Sequence, residues 1–122
     1  MNAKQITGRS GEDTACLHLQ SMGMTILARN YRSGHYELDI VAFDPLGVHI
    51  VEVRTRLGEG LVPGNSVDSL KQKKVIAGAR RFLLEHPELS QYELFFDIVG
   101  VTVSGKKIEL EYTPNAYIPI YV

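Results

Sequence analysis

The sequence predicts an α/β fold in one domain, built on a mixed β-sheet, and three observations carry that reading. The turn Asp44-Pro45-Leu46-Gly47 lies between two apolar segments and folds them back as a hairpin. A strand, helix, strand order from residue 48 to residue 103 calls for a crossover connection and parallel pairing. An earlier helix with one apolar stripe supplies a face to pack on the sheet.

That first helix runs from about Gln5 to Met22, and at 100° per residue its stripe holds Glu12, Ala15, Cys16, Leu19 and Met22. Gly8 and Gly11 lie on or near the same side, where they permit close backbone approach. Gly23 ends the helix. Met24 to Tyr31 follows as a strand with Ile26 and Leu27 at its centre, then a Ser33-Gly34-His35 turn. The hairpin strands are about Tyr36 to Phe43 and Val48 to Arg54, and Thr55 to Ser66 reads as a glycine- and proline-rich loop. A second helix, capped by Ser66 or Asp68, spans about Asp68 to Glu85 and stops before Pro87. Its stripe is Val75, Ile76, Ala79, Phe82 and Leu83, with Lys73, Lys74, Arg80 and Arg81 opposite. Leu94 to Val103 reads as a buried strand, and Ser104-Gly105 turns into a last strand, Lys106 to Tyr112. The domain core is thus about 5–112, followed by an apolar tail, 113–122.

A length of 122 residues suits one core rather than two. Apolar and charged contents of 44% and 22% are those of a globular chain, and no apolar run is long enough to span a membrane. Met1 to Ser10 lacks the apolar segment of a signal peptide, so a cytoplasmic location is expected. Cys16 has no cysteine partner and sits on a buried stripe, which argues against a disulfide, a thiolate zinc site or a nucleophile. The four histidines, His18, His35, His49 and His86, form no motif, and Asp97 inside its apolar run suggests a hydrogen-bonded structural role. Net charge is −1, but residues 1–82 carry 11 Lys/Arg against 8 Asp/Glu and residues 83–122 carry 2 against 6. A polyanion would therefore meet the first part.

The chemistry is concentrated in the hairpin. With an even loop, residues whose numbers add to 91 oppose each other, which pairs Asp39 with Glu52, Glu37 with Arg54 and Asp44 with Gly47. Leu38, Ile40 and Ala42 then share the other face with Val51 and Val53. A three-residue loop with a glycine bulge would instead oppose Asp39 to Val53, mixing polar and apolar residues on both faces; the two-sided pattern favours the even loop. Facing carboxylates repel unless a proton or cation intervenes. An all-oxygen pair favours Mg²⁺, or Mn²⁺, over zinc, and such ions work with substrate phosphates. That points to phosphodiester chemistry. Glu12 is a third carboxylate that its helix turns toward the sheet, and Arg54 emerges beside Glu52, where it can stabilise phosphate charge. Arg29, Arg32, Arg56, Lys71, Lys73 and Lys74 can hold a nucleic-acid backbone without reading bases, and Gln72 lies near the same helix start. The bland alternative is a charged sheet face in which Arg54 and Arg56 neutralise the acids, with Glu37 as the ion-pair partner of Arg54.

Several motifs in order resemble the YraN-like small proteins, relatives of archaeal Holliday junction resolvases within the PD-(D/E)XK nuclease superfamily. Gly8-Arg9-Ser10-Gly11-Glu12 is similar to the helix-one signature, and Asn30-Tyr31-Arg32 to the segment before the active-site strand. Glu37-Leu38-Asp39-Ile40 and Val51-Glu52-Val53-Arg54-Thr55-Arg56 resemble the two hairpin strands. Val67-Asp68 with Lys71, and Phe96-Asp97-Ile98-Val99, resemble the second helix start and a later core strand, so about residues 6–101 are covered. The resemblance implies a restriction-endonuclease-like core, a mixed sheet flanked by helices, with Asp39 and Glu52 as metal ligands and Glu12 assisting. One position departs: the usual lysine after Glu-x is Arg54, which stays charged and cannot act as a base.

The expected function is an Mg²⁺-dependent endonuclease on branched or structured DNA. Asp39 and Glu52 hold the ion, Glu12 orients the attacking water and Arg54 stabilises the phosphate. A symmetric homodimer would suit the cutting of two strands. The competing expectation is a nuclease fold that binds nucleic acid without cutting, since Arg54 replaces the lysine; a third is a protein-interaction role through the apolar tail.

Overall fold

The computed structural model describes residues 11–57 and 69–118. The elements in order are α1 (Gly11–Ser21), β1 (Thr25–Ser33), β2 (Tyr36–Asp44), β3 (Gly47–Leu57), α2 (Ser69–Glu85), a 3-10 turn (Pro87–Leu89), β4 (Leu94–Ser104) and β5 (Lys107–Thr113). The expected start of α1 at Gln5, the Ser66 or Asp68 cap and most of the glycine-rich loop lie outside the described residues. Among the described residues no helix is long and apolar enough to cross a membrane.

The five strands form one sheet in chain order, antiparallel except for the parallel pair β3 and β4. The expected mixed α/β architecture is therefore present, with α2 as the crossover between the parallel strands. Both faces are covered. Ala15, Cys16 and Leu19 of α1 pack on Ile40, Ala42, Val51, Val99 and Val101. Val75, Ala79 and Phe82 of α2 pack on Leu38, Val41, Ile50 and Phe96 on the other face.

α1 ends by a Schellman motif. Gly23 takes φ +93°, its N–H bonds to the Gln20 carbonyl at 3.0 Å, and Met24 N–H bonds to the Leu19 carbonyl at 3.1 Å. The chain reverses one residue before the expected end, so Met24 is buried with Leu19 and Met22 is left exposed, not on the apolar stripe. Leu27, expected at the centre of β1, falls in the irregularity between Ile26 and Ala28 and is also exposed. Thr55, Arg56 and Leu57, expected to start the loop, extend β3 instead, because β4 supplies Val101, Thr102 and Val103 as ladder partners.

The hairpin has the even loop. Asp44 pairs with Gly47 and Ile40 with Val51, and the Asp44 carboxylate accepts from Leu46 N–H at 3.0 Å and Gly47 N–H at 3.3 Å, an Asx turn. Beyond Ile40 and Val51 the ladder stops. A continued ladder would give the Val53 N–H to the Leu38 carbonyl, but the Asp39 carboxylate takes it at 2.8 Å. The strands diverge there, and Leu38 joins the α2-side cluster while Ile40 stays on the α1 side. Leu38 is thus not on the face expected for it. Gly78 of α2 makes room: a Cβ there would lie 3.1 Å from a Leu38 methyl.

Candidate functional site

The divergence of β2 and β3 holds Asp39 and Glu52 together. Glu52 projects from β3 toward the α2 face, opposite to Val51 and Val53, and its side chain is 13% exposed. The Asp39 carboxyl comes within hydrogen-bond reach of Glu52. Burial, followed by the Glu52 charge, pushes Asp39 up to about 7, against the opposing Val53 N–H and Lys71 ammonium. Such a pair is stable only with a proton or a cation between its members.

α2 and α1 border the pair. Lys71, in the first turn of α2, brings Nζ to 3.4 Å from Glu52 Oε1. Expected as a phosphate contact near the helix start, where the polar face of the sheet could meet it, it lies at the carboxylates of that face. Glu12, in the first turn of α1, is raised by burial and by the Asp39 charge, while a hydrogen bond with Asn30 and the Arg29 charge oppose the shift. Asn30 reaches it from a left-handed backbone position, φ +51°, in β1. The sequence pointed to Asn30 only as part of a motif and assigned it no role.

The other expected residues divide by what they touch. Arg29 is committed to α1, with Nη2 at 2.7 Å from Asp13 Oδ1. Glu37 pairs with Arg32 at 3.5 Å, not with Arg54, because the ladder that would oppose residues 37 and 54 ends at Ile40 and Val51. Arg54 and Arg56 follow Glu52 by alternation on the same strand face, both half-buried. Gln72 is half-buried and Lys73 and Lys74 are exposed on α2.

Two half-buried carboxylates suit a hard divalent cation, which binds through one or two acids and keeps water and phosphate oxygens for its remaining positions. Among the described residues no three His, Cys, Asp or Glu side chains gather as a metal-holding group; Glu12 lies near enough to the pair to feel the Asp39 charge.

A second polar cluster lies buried at the other end of β3. His49 Nδ1 is 2.7 Å from Asp97 Oδ2, and Nε2 is 2.8 Å from Asp44 Oδ1. Tyr112 O–H donates to Asp97 Oδ2 at 2.6 Å, Asn115 N–H donates to Asp97 Oδ1 at 2.8 Å, and the Phe95 ring stacks on the imidazole. Burial alone would lower the His49 pKa, but the bonds to Asp97 and Asp44 outweigh it and the net shift is upward. Asp44 is raised by burial and lowered more by His49 and the turn N–H groups, for a net downward shift. The structural role expected of Asp97 is what these bonds describe. The role of His49 has no local signature, because its partners are 5 and 48 residues away; the signal in the chain is a histidine and an aspartate each interrupting an apolar strand.

Comparison with known proteins places the chain in a family. The model of the uncharacterised protein family UPF0102 matches residues 11–101. A UPF0102 protein of Desulforamulus reducens is 38% identical over 117 residues, covering 93% of this chain and 96% of the relative. Those of Stutzerimonas stutzeri and Desulforapulum autotrophicum are 37% and 39% identical, covering 96% and 95% of this chain and 98% and 96% of theirs. With a family model over most of its length and relatives matched nearly end to end, this chain belongs to the UPF0102, or YraN, family.

Proposed function

We propose that this protein is a metal-dependent phosphodiesterase acting on nucleic acid, an endonuclease for branched or structured DNA in the cytoplasm. The observation that carries the reading is the Asp39 and Glu52 pair, held half-buried where the hairpin diverges, with Lys71 on Glu52. Asp39 and Glu52 would hold Mg²⁺ or Mn²⁺. When bound, the ion neutralises phosphate charge and activates the attacking water. Glu12, kept in place by Asn30, orients that water from the α1 side. Lys71 donates to a phosphate oxygen from the α2 side, supplying the ammonium that Arg54 replaces in its usual position. Arg54 and Arg56 add fixed positive charge along β3, with Lys73, Lys74 and Gln72 beyond them on α2. Arg29, paired with Asp13 and partly exposed, and Arg32, mostly exposed, extend the positive charge along β1. A symmetric pair of subunits would cut two strands of one junction.

A second reading is favoured by Arg54 itself: a nuclease fold that binds nucleic acid without cutting. One experiment separates the two. The pure protein is incubated with junction, flap and linear DNA in Mg²⁺ or Mn²⁺, beside Arg54→Lys and the double variant Asp39→Ala, Glu52→Ala. The enzyme reading expects cleavage by the wild type and a loss of at least about a hundredfold in the double variant. Cleavage surviving that variant would overturn the site. Salt-dependent binding without cleavage, with cleavage gained by Arg54→Lys, would establish the second reading.

A further inference from the structure

The segment after β5 contributes a group that the proposed chemistry has not used. Asn115 turns the chain with φ +48°, its N–H bonds to Asp97, and Ala116 N–H bonds to the Phe96 carbonyl at 2.7 Å. Tyr117 is thereby laid on Phe96, ring centroids 5.2 Å apart and planes at 28°, against the α2-side cluster. Phe96 stands in register with Ile50, and Glu52 follows Ile50 on the same face, roughly 7 Å further along the strand. Tyr117 therefore lies on the sheet face that carries Glu52, within reach of its charge. The Glu52 charge is felt at the phenol: burial first, then Glu52 and Asp97, hold it well above its ordinary range, so the hydroxyl keeps its proton.

A neutral O–H within reach of an acidic pair's charge suits an anion that arrives with a cation. We propose that Tyr117 is a substrate-contacting residue whose hydroxyl donates a hydrogen bond to a non-bridging oxygen of the phosphodiester backbone held at Asp39 and Glu52. This rests on the phosphodiester reading above. The Phe96 stack orients the ring, and the Asp97 bond to Asn115 fixes the backbone that carries it, so the donor is in place before substrate binds.

The test uses the full chain and Tyr117→Phe, which keeps the ring and its stack. Thermal midpoint and Mn²⁺ affinity are measured first, then four-way-junction binding in Ca²⁺ at several salt concentrations and cleavage in Mg²⁺. The expected result is an unchanged midpoint and Mn²⁺ affinity with Kd and KM raised about tenfold and kcat little altered. The salt slope stays that of the wild type, because a neutral donor releases no counterion, whereas Lys71→Ala flattens it. Wild-type Kd and KM in Tyr117→Phe would overturn the inference and leave the phosphodiester reading intact. A lowered midpoint with kcat and KM falling off together would overturn it in favour of a packing role. A wild-type protein that neither binds nor cuts the junction would remove the phosphodiester reading and this inference with it.

Discussion

Asp39 shows how one side chain can be costly to the fold and useful to the site. Its carboxylate replaces a backbone carbonyl as the acceptor for Val53 N–H, and that exchange turns it toward Glu52. In the folded chain the carboxyl keeps its proton up to about 7, whereas the unfolded chain releases it near the ordinary 3.8. Between those values the native state binds more protons, so stability falls as pH rises, and below the unfolded value the contribution is complete. The slope is up to about 1.4 kcal/mol per pH unit. Asp39→Asn should remove that slope and melt at a higher temperature than the wild type at pH 8, with little difference at pH 4. Thermal melts of both proteins across this range check it; parallel profiles would mean that the pair is not held together in solution. Lys71 tells the complementary story, since a residue that the sequence placed near the polar face of the sheet without a partner is brought by α2 to Glu52.

Elements in this fold are joined by close approaches that only small residues allow. Gly11 opens α1 directly against β3, and a Cβ at that position would collide with the Thr55 side-chain hydroxyl. This is the close backbone approach that a glycine at the start of an otherwise apolar helix face suggested. Gly11→Ala should cost about 1–3 kcal/mol by overpacking, despite the better helix propensity of alanine. Adding Thr55→Ala should recover much of the loss, because the hydroxyl is the first atom met. Chemical denaturation of the two single variants and the double variant measures the coupling, and strictly additive losses would contradict the contact. The same approach sets Glu12, one residue later, beside Asn30 and near Asp39. The hairpin is held differently, by the Asp44 carboxylate over its own turn, and that local device makes its register readable from the chain.

Across the whole molecule, His49 ties the hairpin turn through Asp44 to β4 through Asp97, and Asp97 extends the tie to β5 and the segment after it. His49→Phe would leave two buried or half-buried carboxylates facing an apolar ring, and stability should drop by about 3–5 kcal/mol at pH 6. Because the His49 pKa is raised, its contribution is complete below the ordinary 6.5 and declines as pH rises through the folded value. The gap between wild type and variant should therefore narrow on the alkaline side in denaturant melts. A loss under about 1 kcal/mol at pH 6 would show that the tie carries little of the fold. Element order, the mixed sheet, the even hairpin and the Asp39–Glu52 pair were legible from the chain. The first three follow from hydrophobic period, turn chemistry and strand alternation, and these rules bring the two acids onto one hairpin without fixing their contact beyond the end of the ladder. Where a side chain chooses among distant partners, those rules are silent. Packing gave Arg29 to Asp13, Glu37 to Arg32, Lys71 to Glu52 and Leu38 to the α2 face, and it brought Tyr117 back onto Phe96. The chain by itself put the two acids near each other on one hairpin, because a turn and a two-residue period are local, but the ladder ends at Ile40 and Val51 and the Asp39 carboxylate closes the pair by taking the Val53 N–H. The tertiary structure decided which cations and donors surround them, because those come from helices and a returning segment whose positions depend on filling both faces of the sheet.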